Sequence, residues 1–392
     1  MNCFITCNKT ASEIGALDIK ELLNKESEVH EGVCLVKDLS AEDFATLAYR
    51  AQSAHRVCIH LFDFKISKGF GEDELRQATK DTLKKTNLDI FEDAKTFGVD
   101  TNNQTTQSVF DSTEMSRIIG GALNDSFEEK GFDIKVNLSK PQLPVFAYII
   151  DNHCFVGIDL IGFDLMKRPY KLITQSSSLN GVFGYTIARL AGVKKDSVVL
   201  DPFCGSGTIP IELALFQQEH SCFHFEHKFA GLQIDFTKKA FNALENKIKK
   251  NKISKENKIT GFDNTLKVIT SAKKNSKIAG ILDAVNFSKV DIEWIDSKFD
   301  EGEVEIIITN PPKENNKNQH TDDVKKLYDE LFYQGRFVLS DEGTLAVLTN
   351  RTETLLELAK RHGYTHKKTI DLLSGEQPYI LMMFSPPPRL KE

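Results

Sequence analysis

No stretch of this 392-residue chain approaches the ~18 consecutive apolar residues that a membrane-spanning helix needs. The first residues also lack the charged-then-apolar layout of a secretory leader. A cytoplasmic protein without a membrane partner is therefore expected. The cysteines lack order as well: seven, an odd number, at Cys3, Cys7, Cys34, Cys58, Cys154, Cys204 and Cys222, form no CxxC pair and have no histidine at zinc-ligand spacing. They read as reduced, mostly buried thiols, and no metal site is expected. Excess positive charge is missing too. Fifty Lys and Arg against 56 Asp and Glu leave a formal net charge of −6, unusual for a protein that wraps nucleic acid. Any such contact must rest on local basic clusters, such as Lys247 to Lys258, Lys273 to Lys277, Lys167/Arg168/Lys171 and Lys360/Arg361/Lys367/Lys368. Clusters of this kind are most often a solvated surface.

What is present is the composition of a soluble globular protein, 40% hydrophobic and 27% charged, in a chain long enough for two or three domains. The first ~65 residues alternate short strand and helix patterns: strands at Cys3–Cys7, Gly32–Val36 and Val57–Ile66, and helices at Ser12–Leu23 and Ala41–Gln52. A helix at Glu72–Lys85, a short strand at Phe97–Val99 and a long helix at about Thr113–Lys130 follow. Val136, Pro144–Ile150 and Cys154–Leu160 complete a sheet, with Asp151-Asn152 as a hairpin turn. From Ala188 onward strands alternate with helices, which signals a doubly wound α/β sheet. Its strands fall at Ser197–Leu200, Lys258–Phe262, Val285–Val290, Val304–Thr309, Thr344–Leu348, Lys368–Leu373 and Tyr379–Phe384, with residues 216 to 256 a polar, Lys-rich insertion. The expected division is 1–66, 67–165, a linker at 166–180, and 181–392.

Chemistry gathers at the carboxyl ends of these later strands, where open α/β sheets bind ligands. Asp201-Pro202-Phe203-Cys204-Gly205-Ser206-Gly207-Thr208 follows a β-branched run and precedes a helix. Gly205 and Gly207 leave the backbone bare beside a ligand, and the helix start points its N–H groups back at it. Gly261-Phe262-Asp263 places an acid at the end of the next strand, suited to the two hydroxyls of a ribose. Asp291 ends the following strand and can accept a hydrogen bond from an adenine amine. Val304–Thr309 then delivers Asn310-Pro311-Pro312-Lys313, and Ser176 to Asn180 can close over the ligand. Plainer readings stand beside these: Asp201 and Asp263 as helix caps, Asp291 and Asn310 as turn residues, Cys204 as a small packed side chain, and Ser176 to Ser178 as linker.

In this order, DPFCGSGT, GFD and NPP resemble the class I S-adenosylmethionine-dependent methyltransferases that act on amino nitrogens. The front half resembles a THUMP-bearing RNA methyltransferase, through its ferredoxin-like start, the helix Thr113–Lys130, the run Asp133–Leu138 before Pro141, and VGIDLIG followed by KRPYK. The resemblance covers nearly the whole chain and is similar to the group that makes N2-methylguanosine in tRNA. It implies an α/β fold: a C-terminal doubly wound, Rossmann-like methyltransferase sheet with an N-terminal α+β region, ferredoxin-like plus THUMP. The implied cofactor is S-adenosyl-L-methionine and the implied partner structured RNA, tRNA first and large-subunit ribosomal RNA as the alternative, with room for an accessory subunit. Asp201, Phe203, Cys204, Gly205, Ser206 and Gly207 would hold the methionine part of the cofactor, Asp263 its ribose and Asp291 its adenine, with Ser178 and Leu179 closing the site. Asn310, Pro311 and Pro312 would be catalytic, the carbonyls of Asn310 and Pro311 accepting the hydrogens of an exocyclic amine. A base inside a helix cannot reach such a pocket, so the target must be unpaired or flipped out. The chain departs from the family at Lys313, where an aromatic residue usually stacks on the base, and at Asp100–Asn103, where relatives carry basic residues. Lys313 and the acidic net charge motivate a rival reading as a non-catalytic RNA-binding protein that keeps the cofactor fold as a scaffold. Adenine methylation in DNA shares the NPP chemistry, but the THUMP resemblance argues against it.

Overall fold

The computed structural model describes residues 1–105, 110–175, 178–224, 228–256, 258–312 and 321–389. The chain forms two compact units: residues 1–165 together with a later segment ending at Lys247, and the remainder.

In the first unit the elements run β1 (Cys3–Thr6), α1 (Ser12–Leu23), β2 (Glu28–His30), β3 (Val33–Val36), α2 (Ala41–Arg50), β4 (Arg56–Lys65), α3 (Glu72–Leu83), β5 (Thr96–Asn103), α4 (Ser112–Lys130), β6 (Lys135–Val136), β7 (Leu143–Ile150) and β8 (His153–Asp159). They make one eight-stranded sheet in the order β2-β3-β1-β4-β8-β7-β5-β6. Antiparallel pairing of β4 with β8 carries that sheet continuously past residue 66. Reciprocal capping fixes two helix starts, Ser40 with Asp43 for α2 and Asp111 with Glu114 for α4. Asp151 takes the left-handed turn conformation at φ 50° between β7 and β8.

Two differences from the sequence reading have physical causes. The strand expected at Phe97–Val99 continues through Asp100-Thr101-Asn102-Asn103, because parallel pairing with Phe146–Ile149 of β7 satisfies those backbone groups despite low strand propensity. The Lys-rich insertion is not uniformly polar. It contains helix Asp235–Lys249, and within the first unit Phe229 and Phe241, both wholly buried, pack on Tyr49 at ring-centroid distances of 4.5 and 5.9 Å. Burying such rings stabilises by roughly 1.5–3 kcal/mol each.

The second unit adds α5 (Gly181–Leu190), β9 (Val199–Asp201), α6 (Thr208–Gln217), β10 (Ile259–Asp263), α8 (Leu266–Ile278), β11 (Val285–Lys289), β12 (Val304–Thr309), α9 (Thr321–Val338), β13 (Leu339–Thr349), α10 (Thr352–Arg361), β14 (Thr365–Ser374) and β15 (Gln377–Ser385), α7 being the insertion helix Asp235–Lys249. Its seven-stranded sheet has the order β11-β10-β9-β12-β13-β15-β14. The strands from β11 to β13 pair in parallel, and β15 lies antiparallel to both neighbours. Chain order therefore reverses between β9 and β12, which opens a crevice at their carboxyl ends. Leu200, Phe262, Ile307, Leu345, Val347, Met382 and Phe384 share the core under that crevice.

Arg168 and Lys171, grouped with the solvated basic clusters in the sequence, are corrected here. Arg168 is 6% exposed and paired with buried Glu212, and Lys171 donates to the Leu179 carbonyl. All seven cysteines are free and buried. Among the described residues no helix is long and apolar enough to cross a membrane.

Candidate functional site

The strand β9 ends in Asp201, a buried carboxylate whose Oδ1 accepts from the Thr309 hydroxyl at 2.6 Å and from the Phe203 N–H at 3.2 Å. Beyond it the chain turns tightly. The Cys204 N–H donates to the Phe262 carbonyl at 2.8 Å, tying the turn to β10, and the Gly207 N–H donates to the Cys204 carbonyl at 2.9 Å. Gly205 (φ 55°) and Gly207 (φ 89°) both adopt left-handed backbone, where glycine carries no Cβ penalty. Gly207 is the N-cap of α6, so Asp201 is not the cap of that helix. Asp263, at the end of β10, accepts from the Thr265 N–H at 3.0 Å.

A strap closes the other side. The Ser178 and Ser206 hydroxyls lie 2.9 Å apart, and Thr208 Oγ1 donates to the Leu179 carbonyl at 3.4 Å. Asn275 of α8 anchors the strap. Its amide donates to the Ile173 and Ser206 carbonyls at 2.9 and 3.0 Å and accepts from the Ile173 N–H at 3.2 Å.

These elements enclose a cavity of about 260 Å³. Its wall brings together Ser178, Leu179, Asp201, Phe203, Cys204, Gly205, Ser206, Asp263, Asn310 and Pro312. Gly207 and Pro311 are not on that wall; Gly207 instead shapes the turn, and Pro311 is buried beside Asn310. Asp291 is exposed, at the start of the short 3-10 turn Ile292–Trp294, and does not line the cavity. Ser176, Ser177 and Lys313 lie outside the described residues.

The electrostatics suit a polar ligand with a cationic part. Burial pushes the Asp201 carboxyl up to about 7, opposed by the bonds from Thr309 and Phe203. Burial likewise raises Asp263, opposed by the N–H groups of Thr265 and Gly205. A cation beside either carboxylate would restore its charge. Burial also drives the Cys204 thiol well up, so it packs as a neutral side chain and is no nucleophile. The bare Gly205 backbone, the start of α6 and two acids on adjacent strands fit a nucleoside bearing an amino-acid tail, the form of S-adenosylmethionine.

Thr309, Asn275, Gln175 and Thr265 belong to this site and were not singled out from the sequence. Thr309 reads as an ordinary β-branched strand residue. Asn275 sits in a lysine-rich helix with no local signal. The position of Thr309 directly before Asn310 was the one clue available.

Comparison with known proteins gives the family. Residues 168–375 match the model of an RMKL-like methyltransferase domain and residues 71–159 that of a THUMP domain. The tRNA (guanine(6)-N2)-methyltransferase of Methanocaldococcus jannaschii is 32% identical over 274 residues, covering 68% of this chain and 70% of that one. The protein of the same name from Archaeoglobus fulgidus is 28% identical, covering 67% of this chain and 63% of that one. In fold, the SMU.472 structure, complexed with SAH, superposes at a TM-score of 0.76 with 19% identity, covering 100% of this chain and 99% of that one. The chain belongs to the RMKL-like methyltransferases that carry a THUMP domain, enzymes whose methyl donor is S-adenosylmethionine.

Proposed function

We propose that this protein transfers a methyl group from S-adenosylmethionine to the exocyclic N2 amine of a guanosine in tRNA. The observation that carries the reading is that Asn310 and Pro312 line the same 260 Å³ cavity as Asp201 and Asp263. A reaction centre for an amine and a cradle for the donor thus share one space. The relatives named for guanine-N2 methylation of tRNA support the choice of base and RNA.

The donor supplies an electrophilic methyl group, so the protein's own work is positioning. Asp201 and Asp263 orient the ligand's polar groups, and the strap at Ser178 and Leu179 limits water. The Asn310 side-chain carbonyl and the Pro311 main-chain carbonyl accept the two amine hydrogens and turn the nitrogen lone pair toward the methyl carbon. Neither proline has an N–H to compete for those acceptors. A flipped or unpaired guanosine is required. In this reading the first unit, with its THUMP domain, grips structured RNA, and the setting is the cytoplasm.

The test is nucleoside mass spectrometry of tRNA and of ribosomal RNA, each incubated with the protein and labelled donor. Label in N2-methylguanosine is expected. Label confined to an adenosine or to ribosomal RNA, or no label in any RNA, overturns the assignment.

A further inference from the structure

Thr309 and Asp201 meet across the crevice where chain order reverses. β12 and β9 run parallel with Ile307 opposite Leu200, and two residues beyond that register the Thr309 hydroxyl reaches Asp201 Oδ1 at 2.6 Å. Both side chains are sealed from solvent, at 0% and 2% exposure. Asp201 lines the donor cavity, and Thr309 is covalently joined to Asn310, which lines it too. A buried hydrogen bond therefore joins the donor cradle to the strand end from which Asn310 projects. We propose that Thr309 is a positioning residue for methyl transfer: it holds the Asp201 carboxylate as a charged acceptor for the donor and anchors the strand end from which Asn310 projects. The proposal rests on the reading of this cavity as the S-adenosylmethionine site.

The surroundings of Asp201 show why a hydroxyl is needed there. Burial disfavours its ionisation, and Asp263 at the end of β10 repels its charge, while the neighbouring Cys204 thiol is neutral and adds none. Against these stand the Thr309 hydroxyl and the Phe203 N–H. Removing the hydroxyl leaves the carboxylate with one donor fewer, and it takes up a proton more readily. A protonated Asp201 is a weaker acceptor for an ammonium group.

The experiment measures the affinity for S-adenosylhomocysteine from pH 6 to pH 9 in the full chain, together with kcat and KM for RNA at saturating donor. In the wild type, affinity is expected to rise as pH passes through about 7. In Thr309→Val the midpoint should move up by about one unit, so that affinity at pH 7 falls roughly fivefold and recovers by pH 9. Thr309→Ser should behave as wild type. kcat should fall in Thr309→Val even at pH 9 and saturating donor, because Asn310 loses its anchor, while KM for RNA stays close to wild type. A pH profile unchanged in Thr309→Val, or an equal loss at every pH in both variants, overturns the proposal while leaving the donor site intact. If Thr309→Val does not fold, Thr309→Ala takes its place and is read in the same way: a midpoint unmoved from wild type overturns the proposal. Wild-type protein that binds no S-adenosylhomocysteine at any pH overturns the donor-site reading itself.

Discussion

Arg168 and Glu212 form a two-pronged ion pair inside the second unit, Nε to Oε1 at 2.9 Å and Nη2 to Oε2 at 3.1 Å, with side chains only 2% and 0% exposed. Tyr170 completes it, its hydroxyl donating to Oε1 at 2.8 Å. The pair fastens the segment entering the second unit to α6, the helix whose start forms part of the donor cavity. Breaking one side strands a buried charge. Arg168→Met is therefore expected to destabilise by about 3–5 kcal/mol, whereas Arg168→Met with Glu212→Leu should recover most of that loss. Denaturant unfolding of the full chain, followed in the second unit by hydrogen exchange, checks both.

The two glycines of the turn should separate folding from binding. A Cβ on Gly207, at φ 89°, would lie 3.1 Å from the Ala272 and Phe287 side chains and 3.2 Å from Ile211. Gly207→Ala is thus expected to cost about 1–3 kcal/mol of stability. Among the described residues a Cβ on Gly205 meets only the Gln175 side chain, at 3.4 Å, on the wall of the cavity. Gly205→Ala shares the left-handed strain but not the crowding, so it should lower the melting temperature less and weaken donor binding more, as thermal melts and calorimetry with S-adenosylhomocysteine would show.

The buried acids set a pH dependence of stability with a definite sign. Asp201 holds its proton up to about 7 in the folded protein against 3.8 for the unreacted group, and Asp159 up to about 6. The folded state therefore binds more protons than the unfolded chain between about pH 4 and pH 7, so their contribution to stability falls as pH rises through that window. Asp201→Asn keeps an oxygen acceptor for Thr309 and Phe203 without the buried charge. It should stabilise the second unit at pH 8 by about 1–3 kcal/mol, flatten the pH 4–7 slope, and weaken donor binding. Melts at pH 5 and pH 8 compare the two proteins; a variant less stable than wild type at pH 8 contradicts the burial argument.

Sequence reading succeeds where local pattern and tertiary context agree. The strand Val304–Thr309 was placed residue for residue, because its apolar run is bounded by Asn310-Pro311. The turn from Asp201 to Gly207 was legible from its glycines, and the cavity does gather most of the residues chosen from it. The helix Gly181–Leu190 was not assigned. It is buried on nearly every face, so it has no polar stripe, and Gly181 and Gly184 lower its helix propensity. Arg168 looked like surface charge because its partner Glu212 lies 44 residues away. The Thr309 bond to Asp201 spans 108 residues and became visible only through the strand order.

The central claim is that Asn310 acts on the amine while the carboxylates of β9 and β10 hold the donor. Single-turnover methyl transfer to tRNA by Asn310→Ala, measured beside its affinity for S-adenosylhomocysteine, tests it most directly. Transfer slower by about 10²–10³-fold with donor affinity within a factor of two is expected. Transfer at the wild-type rate, or a loss of donor affinity as large as the loss of rate, would contradict it.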